Sequence, residues 1–344
     1  MITIDGSQGE GGGQIFRTAL SLAMCLGKPV HIKNIRSKRR KPGLMRQHLA
    51  CLNAAKAISQ ADVVGGDLLS TEVVFTPKPI VAGEYTFSVG GAGSTSLIFQ
   101  TVLMPLLLAN TESTLTFEGG THNPLAPSFD FIDKSFLAVL RSLGYDIQAQ
   151  INRYGFNPAG GGHWQAWIKP LETSVKARAL VLCDKGVLQN QHAFALSSMV
   201  PAAVGERELE KIKKKGGWND SQLTASFVDS VGPGNIVSLR IQYENVTAIF
   251  EALGEKQISA ERVAGRAIQA FSEYESGKAP VCEYLADQLL LPLLLGAGGE
   301  FVTAKASQHL LTNIAVISLV AGVDIQIVQE GKRLWRVTVP AIKC

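Results

Sequence analysis

One order of elements is written three times along this chain, and such repetition restricts the fold more than any composition figure does. Three apolar helices, each opening with a glutamine, read QIFRTALSLAMCLG from Gln14, QTVLMPLLLAN from Gln100 and QLLLPLLLGAG from Gln288. Turn residues break each helix, and a short β-rich run follows: Pro29 to Ile32, Thr114 to Phe117, and Glu300 to Thr303. A polar loop and a second amphipathic helix come next, over 43–59, 128–143 and 309–320. A strand pair closes every unit: 62–64 with 73–76, 146–151 with 163–168, and 324–328 with 334–339. Two helices on one face of a small sheet bury only one layer, so three such units packed together bury their helices jointly.

Between Pro170 and Val281 the pattern stops, and an inserted domain is expected there. It reads as a helix over 197–215 with the charge run ERELEKIKKK, a strand over 235–243 and a second helix over 259–276. The run from Lys211 to Lys215 is a solvated helix face or a contact for a polyanion.

With 344 residues, 46% hydrophobic and 18% charged, the chain can bury a large core, which excludes intrinsic disorder and favours more than one unit. A net charge of +4 does not by itself announce nucleic acid, so the distribution of charge matters more. Cys25, Cys51, Cys183, Cys282 and Cys344 form no C-x-x-C pair, which points away from zinc or a disulfide framework and towards a reducing cytosol. The N-terminus lacks a basic region followed by an apolar stretch, and the run Leu289 to Leu295 is too short to span a bilayer. A soluble cytoplasmic protein without a membrane partner is expected.

Chemistry concentrates in the loops. The segment from Asp5 to Gln14 sets five glycines between a strand and a helix, where bare N–H groups can cradle phosphate. It is neither a Rossmann fingerprint nor a Walker sequence. Glu10 would repel phosphate unless a divalent cation stood between them, and Arg17 follows two turns on; a tight turn with a solvated carboxylate is the alternative. From Arg36 to Arg46 the chain carries six cations in eleven residues, its densest positive cluster, and a polyanion site is the preferred reading. The same slot holds GGTHNPLAP (119–127) in unit two and KASQHL (305–310) in unit three. Approximate threefold packing would bring these loops together. His309 would begin a helix, whose positive dipole end favours a neutral, nucleophilic imidazole; a structural histidine is the alternative, and the commoner role of a lone one. In the run Glu283 to Gln288, Tyr284 and Asp287 lie three apart on one helical face. They suit either a capping turn or a purine pocket in which Tyr284 stacks and Asp287 accepts a hydrogen bond or orients His309.

Together DGSQGEGGGQIFRTALSLAM, KPGLMRQHL, GGTHNPLAP, FNPAGGG, EYLADQLLLPL and SQHLLTNIAV resemble the RNA 3'-terminal phosphate cyclases, from Asp5 nearly to the C-terminus. The sequence departs from the family pattern at Leu125 and Ser128, where a smaller residue and a second proline would stand. The resemblance implies an α+β fold of three βαβαββ-type modules forming a large domain (1–183 and 281–344, divided as 1–82, 83–183 and 281–344), with a smaller α/β domain inserted at 184–280. It further implies an ATP-dependent ligase-class enzyme that converts an RNA 3'-phosphate end to a 2',3'-cyclic phosphate, through a histidyl-AMP on His309 and an RNA(3')pp(5')A intermediate. By the same analogy Gln100, Pro127, Phe131, Tyr284, Leu285, Ala286, Asp287 and Gln288 form the ATP pocket, and Glu10 holds Mg2+ or Mn2+. Arg17, Arg36, Arg39, Gln47 and His48 would bind the polyphosphate or the RNA terminal phosphate. The partners implied are ATP and RNA, and the oligomeric state stays open, a homodimer included. Two alternatives stand beside this reading: a non-catalytic RNA-binding assembly factor of the cyclase-like branch, and an enolpyruvyl-transferase-like enzyme built on the same type of module.

Overall fold

The computed structural model describes residues 1–171 and 177–342. Cys344, the end of the expected third module and residues 172–176 of the expected second lie outside the described residues. The first unit runs β1 (Ile2–Asp5), α1 (Gly13–Leu26), β2 (Val30–Lys33), α2 (Arg46–Ser59), β3 (Asp62–Val64) and β4 (Val73–Thr76). Its sheet has the order β1-β2-β4-β3, with β1 and β2 parallel and β4 antiparallel to both its neighbours. The second unit runs β5 (Glu84–Ser88), α3 (Thr95–Leu107), β6 (Ser113–Gly119), α4 (Phe129–Phe131), a π-helical turn (Ile132–Phe136), α5 (Leu137–Ser142), β7 (Asp146–Arg153) and β8 (Gly162–Lys169). Its order, β5-β6-β8-β7, repeats the first sheet with the same parallel and antiparallel pairs.

Next comes β9 (Leu180–Leu182), followed by β10 (Leu188–Ser198), α6 (Ala202–Gly216), β11 (Leu223–Phe227), β12 (Gly234–Tyr243), β13 (Thr247–Leu253) and α7 (Ala260–Glu275). The chain then returns through α8 (Glu283–Leu295), β14 (Gly299–Thr303), α9 (Gln308–Ala321), β15 (Gln326–Gly331) and β16 (Leu334–Val339). The third sheet is β9-β14-β16-β15, with β9 parallel to β14. Strands β10 to β13 make a sheet of their own, β11-β10-β12-β13, covered by α6 and α7. The described chain is therefore α+β, with four mixed four-stranded sheets.

Several boundaries differ from expectation. β9 lies inside the stretch 83–183 assigned to unit two, yet it pairs with the third sheet, so the interruption falls after that unit's first strand. A three-residue strand carries no periodicity of its own, and only its distant partner decides its sheet. The helix expected over 197–215 starts at Ala202, because Ser197 and Ser198 end β10 and Pro201 occupies the N-cap. Gln14 is the second residue of α1, whereas Gln100 and Gln288 are each the sixth of α3 and α8; Thr18 holds the corresponding place in α1. Residues four apart share a helical face, so apolar spacing alone could not distinguish Gln14 from Thr18.

The helices pack in a cycle. The first helix of each unit lies against the second helix of the unit before it: α1 on α9, α3 on α2, and α8 on the π-helical turn after α4. α3 and α8 present apolar residues nearly all round, as a helix enclosed by neighbours requires. The indole of Trp164 stacks on Phe117, with ring centroids 4.2 Å apart, and donates to Thr95 Oγ1 at 2.8 Å, fixing the start of α3 over its sheet.

The second unit meets the β10–β13 sheet through a charged cluster. His122 Nε2 lies 3.1 Å from Asp130 Oδ2, and Arg240 reaches to 3.6 Å from Asp130 Oδ1. Ser128 Oγ donates to Glu251 Oε1 at 2.9 Å, and the His122, Asp130 and Glu251 ligand-type atoms all fall within 4.8 Å of one another. Burial pushes the Glu251 carboxyl up to about 7. Glu208, fully buried on α6, is likewise pushed up to about 7 by burial, against a 3.0 Å hydrogen bond from Asn235. Both carboxyls hold a proton more tightly folded than unfolded, so their contribution is complete below the ordinary value of 4.5 and is lost as pH rises through about 7. The urea unfolding free energy of the wild type should therefore fall between about pH 5 and 8 relative to a Glu208→Gln/Glu251→Gln double variant, by up to about 3 kcal/mol per group. Parallel curves for the two proteins would contradict this.

Candidate active site

At the end of β1 the backbone turns sharply. Asp5 accepts from the Ser7 N–H at 2.9 Å and from Asn34 Nδ2 at 3.1 Å, and the Ser7 bonds hold its carboxyl below the usual range. The following loop docks on α9, where the Glu10 N–H reaches Thr312 Oγ1 at 3.3 Å. Gly9 sits there at φ +51°, and a Cβ on it would lie 2.2 Å from Thr312 Oγ1, so both conformation and contact demand glycine. Unit one's loop is thereby joined to unit three's second helix.

α9 begins at an N-cap, Ser307, whose hydroxyl accepts from the Leu310 N–H at 3.2 Å. His309 follows in the first turn with its side chain 55% exposed. Its Nδ1 lies 2.5 Å from Gln14 Oε1 and 2.9 Å from Glu10 Oε2, the latter off the line of a good hydrogen bond. Gln14 Nε2 in turn donates to Asp287 Oδ2 at 2.5 Å. Asp287 thus reaches His309 only through Gln14, a residue the sequence did not single out for the site. Its signal was present in the spacing, since Gln14 opens the helix directly after the glycine-rich turn.

Burial pushes the Asp287 carboxyl up to about 7, with Gln14 and Arg17 acting in the opposite sense. Asn313 Nδ2 donates to the Asp287 backbone carbonyl at 3.1 Å, and Asn313 Oδ1 accepts from Thr18 Oγ1 at 2.6 Å, tying α8, α9 and α1 together. Glu10 is ion-paired with Arg39, while its Oε2 is buried without a hydrogen-bond partner. An orphaned carboxylate oxygen beside a phosphate-type loop suits a hard divalent cation.

A cleft of about 70 Å³ opens between the three first helices. Thr18, Gln100 and Gln288, the sixth residues of α1, α3 and α8, line it, as do Ser21, Leu103 and Leu291, the ninth. Gln14, Arg17 and Asp287 complete the side nearest His309. Arg17 makes no hydrogen bond or ion pair among the described residues, although burial pulls its guanidinium down from its ordinary value. Five unused donors facing a cleft form a site for an anion. Gln288 Nε2 donates to the Tyr284 carbonyl at 2.7 Å, and its buried Oε1 has no partner.

His48 supports this floor. Its Nδ1 accepts from the Met45 N–H at 3.1 Å, and burial, with Arg17 and Arg36 nearby, pulls the imidazole down to about 3. The ring is neutral, and Nε2–H remains as a donor. A Cβ on Gly13 would lie 2.3 Å from that Nε2 and 3.0 Å from Arg17 Nη1.

Other residues stand elsewhere. Arg36 spends Nη1 on the Lys41 and Gly43 carbonyls at 2.7 and 2.9 Å, bracing the basic loop. Gln47 clamps the backbone of Ser94 with both amide atoms, at 2.9 and 2.7 Å, and so fixes unit two to unit one. The Pro127 carbonyl accepts from Ser96 Oγ at 2.7 Å, and Phe131, Leu285 and Ala286 are buried in the apolar core. Tyr284 is 64% exposed in the first turn of α8, outside the cleft lining. Ser128, one of the departures noted in the sequence, caps α4 by accepting from the Phe131 N–H at 3.0 Å.

Comparison with known proteins decides the family. The RNA 3'-terminal phosphate cyclase family model matches residues 8–327. The chain belongs to that family. The RNA 3'-terminal phosphate cyclase of Koribacter versatilis is 45% identical over 331 residues, covering 96% of this chain and 92% of the relative. That of Pseudomonas aeruginosa strain LESB58 is 47% identical over 319 residues, covering 92% of each. Among solved structures, an EPSP synthase from Acinetobacter baumannii aligns at TM-score 0.35 and 12% identity, over 99% of this chain and 65% of that one. The chain is thus an enzyme of the cyclase family. No helix of the described residues is long and apolar enough to cross a membrane.

Gly13→Ala tests the tightness of this candidate site. It should displace His48 or Arg17, cost about 1–3 kcal/mol in denaturant unfolding and lower cyclase activity at least tenfold. Full activity with unchanged stability would show that the floor gives way freely.

Proposed function

We propose that this enzyme converts an RNA 3'-terminal phosphate to a 2',3'-cyclic phosphate at the expense of ATP, with His309 as the nucleophile that carries AMP. The observation that carries this reading is the environment of His309: its Nδ1 is held by Gln14 Oε1 with Glu10 Oε2 2.9 Å away, its side chain is half exposed, and Arg17 stands unpartnered in the adjoining cleft.

The Nε2 lone pair attacks the α-phosphorus of ATP, the N–P bond forms, and the bond to pyrophosphate breaks with its electrons leaving on the pyrophosphate oxygen. The proton stays on Nδ1, so the adduct is cationic, and the Glu10 carboxylate faces it. Oxygen of the RNA 3'-phosphate then displaces histidine, giving RNA(3')pp(5')A and returning the lone pair to Nε2. The adjacent 2'-hydroxyl attacks the activated 3'-phosphorus, loses its proton to solvent or a base, and expels AMP. A phosphomonoester dianion has no good leaving group, and adenylylation supplies one. The need for a 2'-hydroxyl favours RNA over DNA.

Arg17 and His48 Nε2–H would hold phosphate oxygens, and Arg39 with the exposed cations of the 36–46 loop would draw the RNA end inwards. Gln100, Asp287 and Gln288 line the cleft on the nucleotide side, and the unpartnered Gln288 Oε1 offers an acceptor there. Tyr284, Pro127 and Phe131 would complete the base pocket, with Leu285 and Ala286 supporting it from the core. Glu10 would hold Mg2+ or Mn2+, which when bound neutralises phosphate charge. The three units, sharing one sheet order, form the catalytic body in this reading, and 184–280 is its insertion.

Incubation with ATP labelled at the α-phosphate should place acid-labile, base-stable label on the wild type and none on His309→Ala. Label that persists in the variant, or never appears in the wild type, would overturn the mechanism.

A further inference from the structure

We infer that Gln14 sets the tautomer of His309, and that Asp287 holds Gln14 to this task. The inference rests on the proposed role of His309 and names what prepares it.

An imidazole attacks only through an unprotonated nitrogen, so in a neutral ring the single N–H must sit on the other nitrogen. Here Gln14 lies against Nδ1 at 2.5 Å. An amide, however, has two ends. Its oxygen would keep the proton on Nδ1 and leave Nε2 as the nucleophile; its NH2 would reverse the tautomer and disable Nε2. Nothing in Gln14 itself chooses between the two. Asp287 does in its ionised form, which only accepts, and its Oδ2 lies 2.5 Å from the far end of the same amide; burial pushes this carboxyl up to about 7, so the choice is complete above that pH. With Asp287 ionised, the NH2 faces Asp287 and the oxygen faces His309, as they stand here.

Three features hold the relay rigid. Asp287 is anchored through its backbone carbonyl by Asn313, one turn along α9 from His309. Burial raises the Asp287 carboxyl, and Arg17, one turn along α1 from Gln14, acts against that rise in favour of the ionised form. Gln14 itself is buried, with 9% exposure, so water cannot readily exchange for either partner. Glu10 Oε2 is a second acceptor near Nδ1, but it is poorly aligned there and is the oxygen assigned to the divalent cation. When the metal takes that oxygen, Gln14 remains the acceptor that keeps the proton on Nδ1. Gln14 is a positioning residue in this account.

The test reads the tautomer directly. Protein labelled with 15N-histidine, without ATP, gives the two ring-nitrogen shifts of His309, assigned by their loss in His309→Asn. The wild type should show a protonated Nδ1 and a pyridine-type Nε2. Gln14→Leu should show mixed tautomers and form the adenylyl adduct about 10–100-fold more slowly, less than the ~10⁴-fold loss known for a fully removed orienting group, because Glu10 remains. Gln14→Glu keeps an acceptor and should restore the tautomer and part of the rate. Asp287→Asn frees the amide to turn and should mix the tautomers with Gln14 still present; this variant serves if Gln14→Leu fails to fold. Wild-type tautomer and rate in Gln14→Leu would overturn the relay. A wild type that shows the stated tautomer but forms no adduct would instead overturn the proposed reaction.

Discussion

The site exists only because the first helix of each unit packs against the second helix of the preceding one. His309 rises from α9 in unit three, while Gln14, Arg17 and Glu10 come from unit one, and the α1–α9 contact is what brings them together. The Gly9–Thr312 approach and the Thr18–Asn313 hydrogen bond of 2.6 Å lock that contact at both ends of the site. Gln47 performs the corresponding service between units one and two, where its amide is bound to the Ser94 backbone. Side chains at the start of second helices therefore act as joints between units, and at one joint the joining residue is a histidine half open to solvent.

Concentrating Arg17 and Asp287 in one partly buried cleft, with Glu10 and His309 at the adjoining Gln14, carries a desolvation cost that a stable core alone would not incur. The structure offsets part of that cost by pairing Glu10 with Arg39 and Asp287 with Gln14. It leaves Arg17, one oxygen of Glu10 and one oxygen of Gln288 without hydrogen-bond partners. Groups left unsatisfied in this pattern are those the proposed ligands would pair: the cation with anions, and the oxygens with a metal and a donor.

Much of this was legible in the chain. The spacing of apolar positions located the paired helices of all three units, and the strands at 62–64 and 73–76 fall where the alternation put them. Arg17, Asp287, Gln100 and Gln288, singled out in the sequence, line one cleft, while Glu10 and His309, also singled out, meet each other beside Gln14 outside its lining. What the chain did not disclose depends on long-range pairing. β9 is too short to declare its sheet, Gln14 and Thr18 share a face, and no local pattern says that Arg36 turns back onto its own loop. Gln14 was read as an element of the repeat, and its place between Asp287 and His309 emerges only once α1, α8 and α9 are packed.

A crystal structure of the protein trapped after reaction with ATP and magnesium tests the central claim most directly. Continuous density is expected from Nε2 of His309 to the AMP phosphorus, with Nδ1 still against the Gln14 oxygen and phosphate oxygens on Arg17. An adduct on Nδ1, on another residue, or on a His309 turned away from Gln14 would contradict it.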